Sequence, residues 1–231
     1  MRWPSFLSAA PSGLLTFVDR LRRRRRRRQQ AWQMSCLCAV LLGTSAGAHA
    51  TSVTPPSFSE LVGEAQVIAR GVVTGVESRW VDRPQGRIIK TFVTFSIEKT
   101  LKGAPDRVVT LEFLGGTVGE DSLRVAGMPT FTVGEPEILF VAANGLQFCP
   151  LVRFGHGRYR LRTDAAEHRQ YVARDDETPV ESTEDVSLPA TEHEPAASAP
   201  RHADRALSPE LFEARITAEL TRQQQRLPRQ R

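Results

Sequence analysis

Residues 88–113 read IIKTFVTFSIEKTLKGAPDRVVTLEF, and the alternation within them decides the fold class. Val93, Phe95 and Ile97 fall on one face while Lys90, Thr94, Ser96 and Glu98 fall on the other, which is the pattern of a half-buried strand. Val109, Leu111 and Phe113 repeat the scheme, and Lys102-Gly103-Ala104-Pro105-Asp106 supplies a turn, so the two runs predict a hairpin.

Working outward, residues 66–78 (QVIARGVVTGVES) predict a third strand, whose Gly71 and Gly75 suit the tight coiling of a small barrel. Between it and the next strand, Trp80-Val81-Asp82-Arg83-Pro84-Gln85-Gly86 predicts an exposed hairpin tip. The apolar run 137–142 (EILFVA) predicts a central strand, and 148–154, 158–162 and 170–173 complete the set. Residues 57–65 (SFSELVGEA) predict a short helix over one end. Residues 51–175 are thus expected to form an all-β domain.

The order EAQVIARGVVTGV, TFVTFSIEKTLKG, VVTLEFLGG, FTVGEPEILFVAANG, FCPLV, over about residues 60–153, resembles the core of the netrin-module and tissue-inhibitor-of-metalloproteinase families. That resemblance implies an OB-like β-barrel and a tendency to bind extracytoplasmic proteins such as a secreted protease. It does not extend to the inhibitors' zinc chelation. In that family an N-terminal cysteine supplies its amine and carbonyl to the metal, whereas residues after the expected leader begin Thr51-Ser52-Val53.

The leader is read from residues 22–50. Seven arginines, Arg22 to Arg28, precede MSCLCAVLLGTSAGAHA, a short apolar run that closes in Ala48-His49-Ala50. A basic block, an apolar stretch and small residues before a break have the layout of a secretory signal peptide, with cleavage expected between Ala50 and Thr51. Residues 1–50 carry nine arginines against Asp19, so they hold the basic excess; residues 51–231 carry 22 basic and 25 acidic side chains, a net charge of −3. The expected setting is secreted or periplasmic, and the acidic balance argues against a nucleic-acid partner. If the leader is uncleaved, residues 34–50 become a membrane anchor, although the apolar run falls short of the about 20 residues a span needs.

After the leader, Cys149 is the only cysteine, which excludes an intramolecular disulfide and, in the apolar setting Phe148-Cys149-Pro150-Leu151, predicts a packed thiol. Residues 176–206 are acidic and rich in Pro, Ala, Ser and Thr, which predicts a disordered linker. Within residues 207–231, Ser208-Pro209-Glu210 marks a helix start, Phe212, Ile216 and Leu220 form one apolar stripe, and a basic tail follows.

No catalytic constellation is legible. His156 and His168 stand at no metal-ligand spacing, no G-x-S-x-G elbow occurs, and Gly115 to Asp121 lacks both a phosphate-loop lysine and alternating calcium ligands. The expectation is a non-enzymatic chain with no cofactor and no metal, acting as a protein-binding or inhibitor-like module. The rivals are a tethered structural envelope protein and a hydrolase whose site is assembled only by folding. Trp80 and Arg83 at the hairpin tip are the expected partner contacts, since aromatic and arginine side chains dominate interface hot spots. Arg158, Arg160 and Arg162 share one strand face, which reads as a solvated face or as a site for acidic groups, the chain's own segment from Asp175 to Glu194 among them.

Overall fold

A computed structural model of the chain describes residues 54–165, 167–188 and 203–226. The expected leader, with Ala50 and Thr51, lies outside the described residues, as do residues 189–202 of the acidic stretch.

The hairpin around the expected tip at residues 80–86 is longer than its alternation indicates. Strand β1 (Val67–Arg83) and strand β2 (Gly86–Lys102) pair antiparallel over their whole length and turn at Pro84-Gln85, with Gly86 at a positive φ of 117° that glycine adopts without strain. Strand β3 (Val108–Leu114) adds to β2, and a short hairpin of β4 (Gly116–Val118) and β5 (Asp121–Leu123) follows. Strand β6 (Pro136–Val141) returns beside β1, followed by β7 (Arg158–Thr163) and β8 (Gln170–Arg174). The result is a six-stranded sheet in the order β3-β2-β1-β6-β7-β8 and a two-stranded sheet, β4-β5. Helix α1 (Phe58–Glu64) begins at a reciprocal cap between Ser57 and Glu60, and helix α2 (Pro209–Arg226) begins where the Ser208 hydroxyl accepts the Leu211 N–H at 3.2 Å.

This architecture overturns the expected OB-like barrel and with it the netrin-module and protease-inhibitor resemblance. The domain is a mixed arrangement of two helices and two sheets, and the larger sheet is open: β3 and β8, its outer strands, do not pair with each other. Gly71 and Gly75 lie at register shifts in the β1–β2 pair. At Gly71 a Cβ would stand 2.6 Å from the Ser96 carbonyl oxygen. The two glycines therefore serve local bulges and coil the pair without closing it. Residues 148–154 do not form the expected strand either. Only Leu151 bridges to Val141, and Arg153 and Phe154 take left-handed φ values of 46° and 61° before a 3₁₀ turn at Phe154–Gly157.

Both outer strands are stopped by the chain itself. At β3 the Asn144 side chain imitates a strand residue: its Oδ1 accepts the Glu112 N–H at 3.0 Å and its Nδ2 donates to the Thr110 carbonyl at 2.8 Å, while the Phe148 carbonyl takes the Leu114 N–H. At β8 the Val180 N–H donates to Val172, and the Val172 N–H to Leu207. Such capping removes the free strand edge through which sheets aggregate.

Two cores form on opposite faces. One joins α1 and α2 to β1, β6, β7 and β8 through Leu61, Ile68, Phe140, Tyr159, Phe212 and Ile216. The other joins β1–β3 to the loops before β6 and β7 through Val73, Val93, Phe95, Leu111, Phe113 and Leu151, with Met128 and Phe131 packed against it. Val180 and Val186, inside the stretch whose composition predicts a linker, are fully buried in the first core, and Ala203 and Ala206 pack on Tyr171 and Ala173. A few apolar side chains at spaced positions order this part of an otherwise polar segment, because each fills a place prepared by β8.

Candidate functional site

Arg158, Arg160 and Arg162 do share one face of β7, as period two requires. That face meets a matching row of acids. Arg158 and Glu137 are each 0 % exposed and form a two-pronged pair, with Nε to Oε2 at 3.0 Å and Nη2 to Oε1 closer still. The other arm of the Arg158 fork donates to Asp175 at 2.7 Å and to the Thr130 carbonyl at 2.6 Å, and its guanidinium lies 4.1 Å over the Phe131 ring. Arg160 donates to Glu177; Arg162 donates to Glu177 through Nε at 2.8 Å and to Glu135 through Nη1 at 3.0 Å.

The electrostatics follow from this geometry. Burial raises the Glu137 carboxyl above the ordinary carboxylate range, with the Arg158 guanidinium working against it. At Glu177 burial also opposes ionisation, but the hydrogen bonds from Arg162 and the charges of Arg160, Arg162 and Arg158 outweigh it and hold the carboxyl low. The row is a charge network internal to the fold; its partners on the acidic segment are Asp175 and Glu177.

The hairpin tip is a different place. The last rung that β2 shares with β3 is Lys90↔Leu114, yet β1 and β2 continue through Trp80↔Ile89, Val81↔Ile88, Asp82↔Arg87 and Arg83↔Gly86. These rungs form an arm beyond the last β3 rung, covered only at its root, where Ile89 is buried and its carbonyl accepts the Gly115 N–H at 2.9 Å. The Arg87 guanidinium lies 4.9 Å from the Trp80 ring centroid and 3.6 Å from Asp82, and Arg83 is exposed with no hydrogen bond or ion pair among the described residues. At the base of the arm, Arg79 lies 3.9 Å over the Phe92 ring and likewise has no acid partner among the described residues. Trp80, expected as a partner contact, is half-buried and stands opposite the buried Ile89.

Arg79 also lines a shallow groove of about 390 Å³ on the outer face of β1–β3, with Gly75, Glu77, Phe92, Thr94 and Thr110. The structure thus separates the sequence-selected residues into two places: Trp80 and Arg83 on the arm, and Arg158, Arg160 and Arg162 in the network. Sequence reasoning missed Arg79, Arg87 and Phe92. The signal was available, because a hairpin register carried through Pro84-Gln85 sets Arg87 beside Trp80 and Glu77 opposite Phe92.

The remaining chemical candidates are enclosed. The Cys149 thiol is pushed up to about 12, first by burial and then by the field of Asp175, against a hydrogen bond at Leu151. A thiol so held is a poor nucleophile. His156 is buried and its pKa is lowered by burial and by Arg174. Among the described residues no group of histidine, cysteine, aspartate or glutamate side chains could hold a metal ion. No described helix is long and apolar enough to cross a membrane. Comparison with protein-family models and with curated proteins finds no match for the chain.

Proposed function

We propose that the chain is an exported, non-catalytic domain that docks peripherally on an anionic envelope surface through the β1–β2 arm. The observation that carries the reading is the arm's composition where it leaves the rest of the sheet: Trp80, Arg79, Arg83 and Arg87, with Asp82 the one acid between residues 79 and 88. The root of the arm is packed, with Ile89 buried, while Arg79, Asp82, Arg83 and Arg87 are exposed, so the arm presents arginine side chains to solvent beside a half-buried tryptophan. Tryptophan combines an apolar body with one polar N–H and favours the boundary between water and acyl chains. Basic side chains close to an anionic lipid surface contribute about 1 kcal/mol each. Export supports the reading from the sequence side, through the arginine block and the Ala-His-Ala break of residues 22–50. The surrounding net charge of −3 over residues 51–231 helps orientation, since it turns the rest of the domain away from the surface the arm approaches.

The test is co-sedimentation of the chain with phosphatidylglycerol vesicles and with phosphatidylcholine vesicles at low and physiological salt. The expected result is binding to the anionic vesicles alone, weakened by salt. Replacing Arg83 and Arg87 by alanine lowers the partition constant by about 30-fold, taking about 1 kcal/mol for each arginine. A chain that stays in the supernatant with anionic vesicles at low salt overturns the reading.

A further inference from the structure

We propose that Asn144 is a deamidation site, and that its conversion uncaps β3 so that the freed edge pairs with the same edge of a second copy.

The chemistry rests on Asn144-Gly145, both exposed in the loop after β6. The Gly145 N–H makes no hydrogen bond among the described residues, and the nearest atom to a Cβ built at Gly145 is Glu112 Oε1, 3.8 Å away. With no side chain of its own and no hydrogen-bond partner among the described residues, the Gly145 nitrogen is free to approach the preceding side chain. It loses its proton and bonds to the Asn144 side-chain carbonyl carbon; the carbon–Nδ2 bond breaks and ammonia leaves. Solvent water then opens the cyclic imide at either carbonyl, leaving aspartate or isoaspartate. No oxidant, metal or enzyme is required.

The consequence rests on the hydrogen bonds the amide makes. Oδ1 accepts from Glu112 N–H, and a carboxylate oxygen can do the same. Nδ2 donates to the Thr110 carbonyl, and a carboxylate cannot: two acceptors then face each other across the former 2.8 Å bond. Of the three bonds that cap β3 this one becomes repulsive, while the Phe148 carbonyl still accepts the Leu114 N–H, and in the isoaspartate form the loop backbone is also lengthened by one carbon.

The occupant is argued from what surrounds the edge. The other edge of the sheet, at β8, is held by backbone bonds from Val180 and Leu207, which no amide controls. Beside β3, the capping loop exposes Leu146 (87 %) and Phe148 (66 %), apolar surface that a symmetric pair would cover. An antiparallel β3–β3 pairing centred on Leu111 sets Thr110 opposite Glu112 and keeps the two carboxylates off a shared rung, where like charges would repel.

The experiment ages the full chain at mildly alkaline pH and follows residue 144 by peptide mass mapping and assembly by chromatography with light scattering. The expected result is an amide-to-acid mass gain at Asn144 that rises with time, with the converted fraction eluting at the dimer mass. Asn144→Asp should form that dimer without ageing. No mass gain at Asn144 overturns the modification, and a folded Asn144→Asp chain that stays monomeric overturns the uncapping. Should that variant fail to fold, the separated converted fraction of the wild-type chain decides, a dimer supporting the proposal and a monomer overturning it.

Discussion

The arginines of β7 and those of the β1–β2 arm project from strands of one sheet, yet they have opposite environments. On β7, Arg158 meets Glu137, Asp175, the Thr130 carbonyl and the Phe131 ring, and Arg160 and Arg162 close on Glu135 and Glu177. On the arm, Arg79 and Arg87 rest on aromatic rings, and Arg83 rests on nothing among the described residues. The difference lies in the neighbours. Residues Glu135 and Glu137 alternate on one side of β7, and Asp175 and Glu177 continue the line of β8 on the other, so acids at period two match arginines at period two. Beyond the last β2–β3 rung the arm's arginines meet aromatic rings and one exposed acid, Asp82, so their charge stays available. Local sequence is a poor guide to which of two arginine groups is spent on folding; the decisive feature is what the topology places alongside.

The comparison breaks most severely at Arg158. Arg158→Ala leaves Glu137 buried without its counter-charge, a loss on the order of 3–5 kcal/mol in other buried pairs. Urea denaturation should show that loss as a large drop in midpoint. A paired Arg158→Met and Glu137→Met chain should recover much of it, since replacing both members by apolar groups removes the uncompensated charge. If Arg158→Ala unfolds at the wild-type midpoint, the β7 row is not the structural network its geometry describes.

How far each region was legible follows from the range of the interactions involved. The β1–β2–β3 order was readable because alternation and turn residues act over a few positions, as the pattern through Val93, Phe95, Ile97, Leu111 and Phe113 shows. Closure was not readable. The strand content of an open sheet and of a barrel is the same, and the choice here is made by Asn144, Val180 and Leu207, each reaching an outer strand from elsewhere in the chain. Residues 148–154 misled because an apolar run is also what a loop buried in a core looks like; Cys149, Leu151 and Val152 are buried without forming a ladder. At the candidate site Trp80 and Arg83 were found from composition, whereas Arg79 over Phe92 needed the cross-strand register. The acids opposite Arg158, Arg160 and Arg162 were half legible: the segment from Asp175 was a candidate, but Glu137, on β6, and Glu135, just before it, required the strand order.

A smaller effect separates the two carboxylates that hold the β7 row. Glu177 has a folded-state pKa below its unfolded value, so its contribution is present above the unfolded value and lost as pH falls through the folded one. Glu137 is raised, so its effect has the opposite sign: stability is fully present below the unfolded value and declines as pH rises through the folded one. Denaturation midpoints measured from about pH 3 to about pH 7 should therefore show Glu177→Gln with a flattened acid limb. Its stability loss near neutrality is about 1 kcal/mol or less, because Glu177 is 41 % exposed and solvent screens the pair. A wild-type acid limb that Glu177→Gln leaves unchanged would assign the acid sensitivity to other carboxylates, such as Glu219, whose pKa is held down by Ser59.

The least change is expected at Arg83, and that small value is the sharper half of the comparison. An exposed side chain with no partner among the described residues contributes little to folding, so Arg83→Ala should move the urea midpoint by less than about 0.5 kcal/mol. The same substitution should weaken adsorption to anionic vesicles, because the guanidinium that folding leaves free is the one a surface can use. Stability and adsorption thus respond in opposite order at the two sites. Arg158→Ala lowers stability, and any adsorption it loses is lost with the fold; Arg83→Ala keeps the fold and loses adsorption directly. If Arg83→Ala were instead to lower stability by more than about 1 kcal/mol, the arm would be braced by its own arginines. Its exposed charge would then be a consequence of building a long hairpin, with no surface needed to explain it.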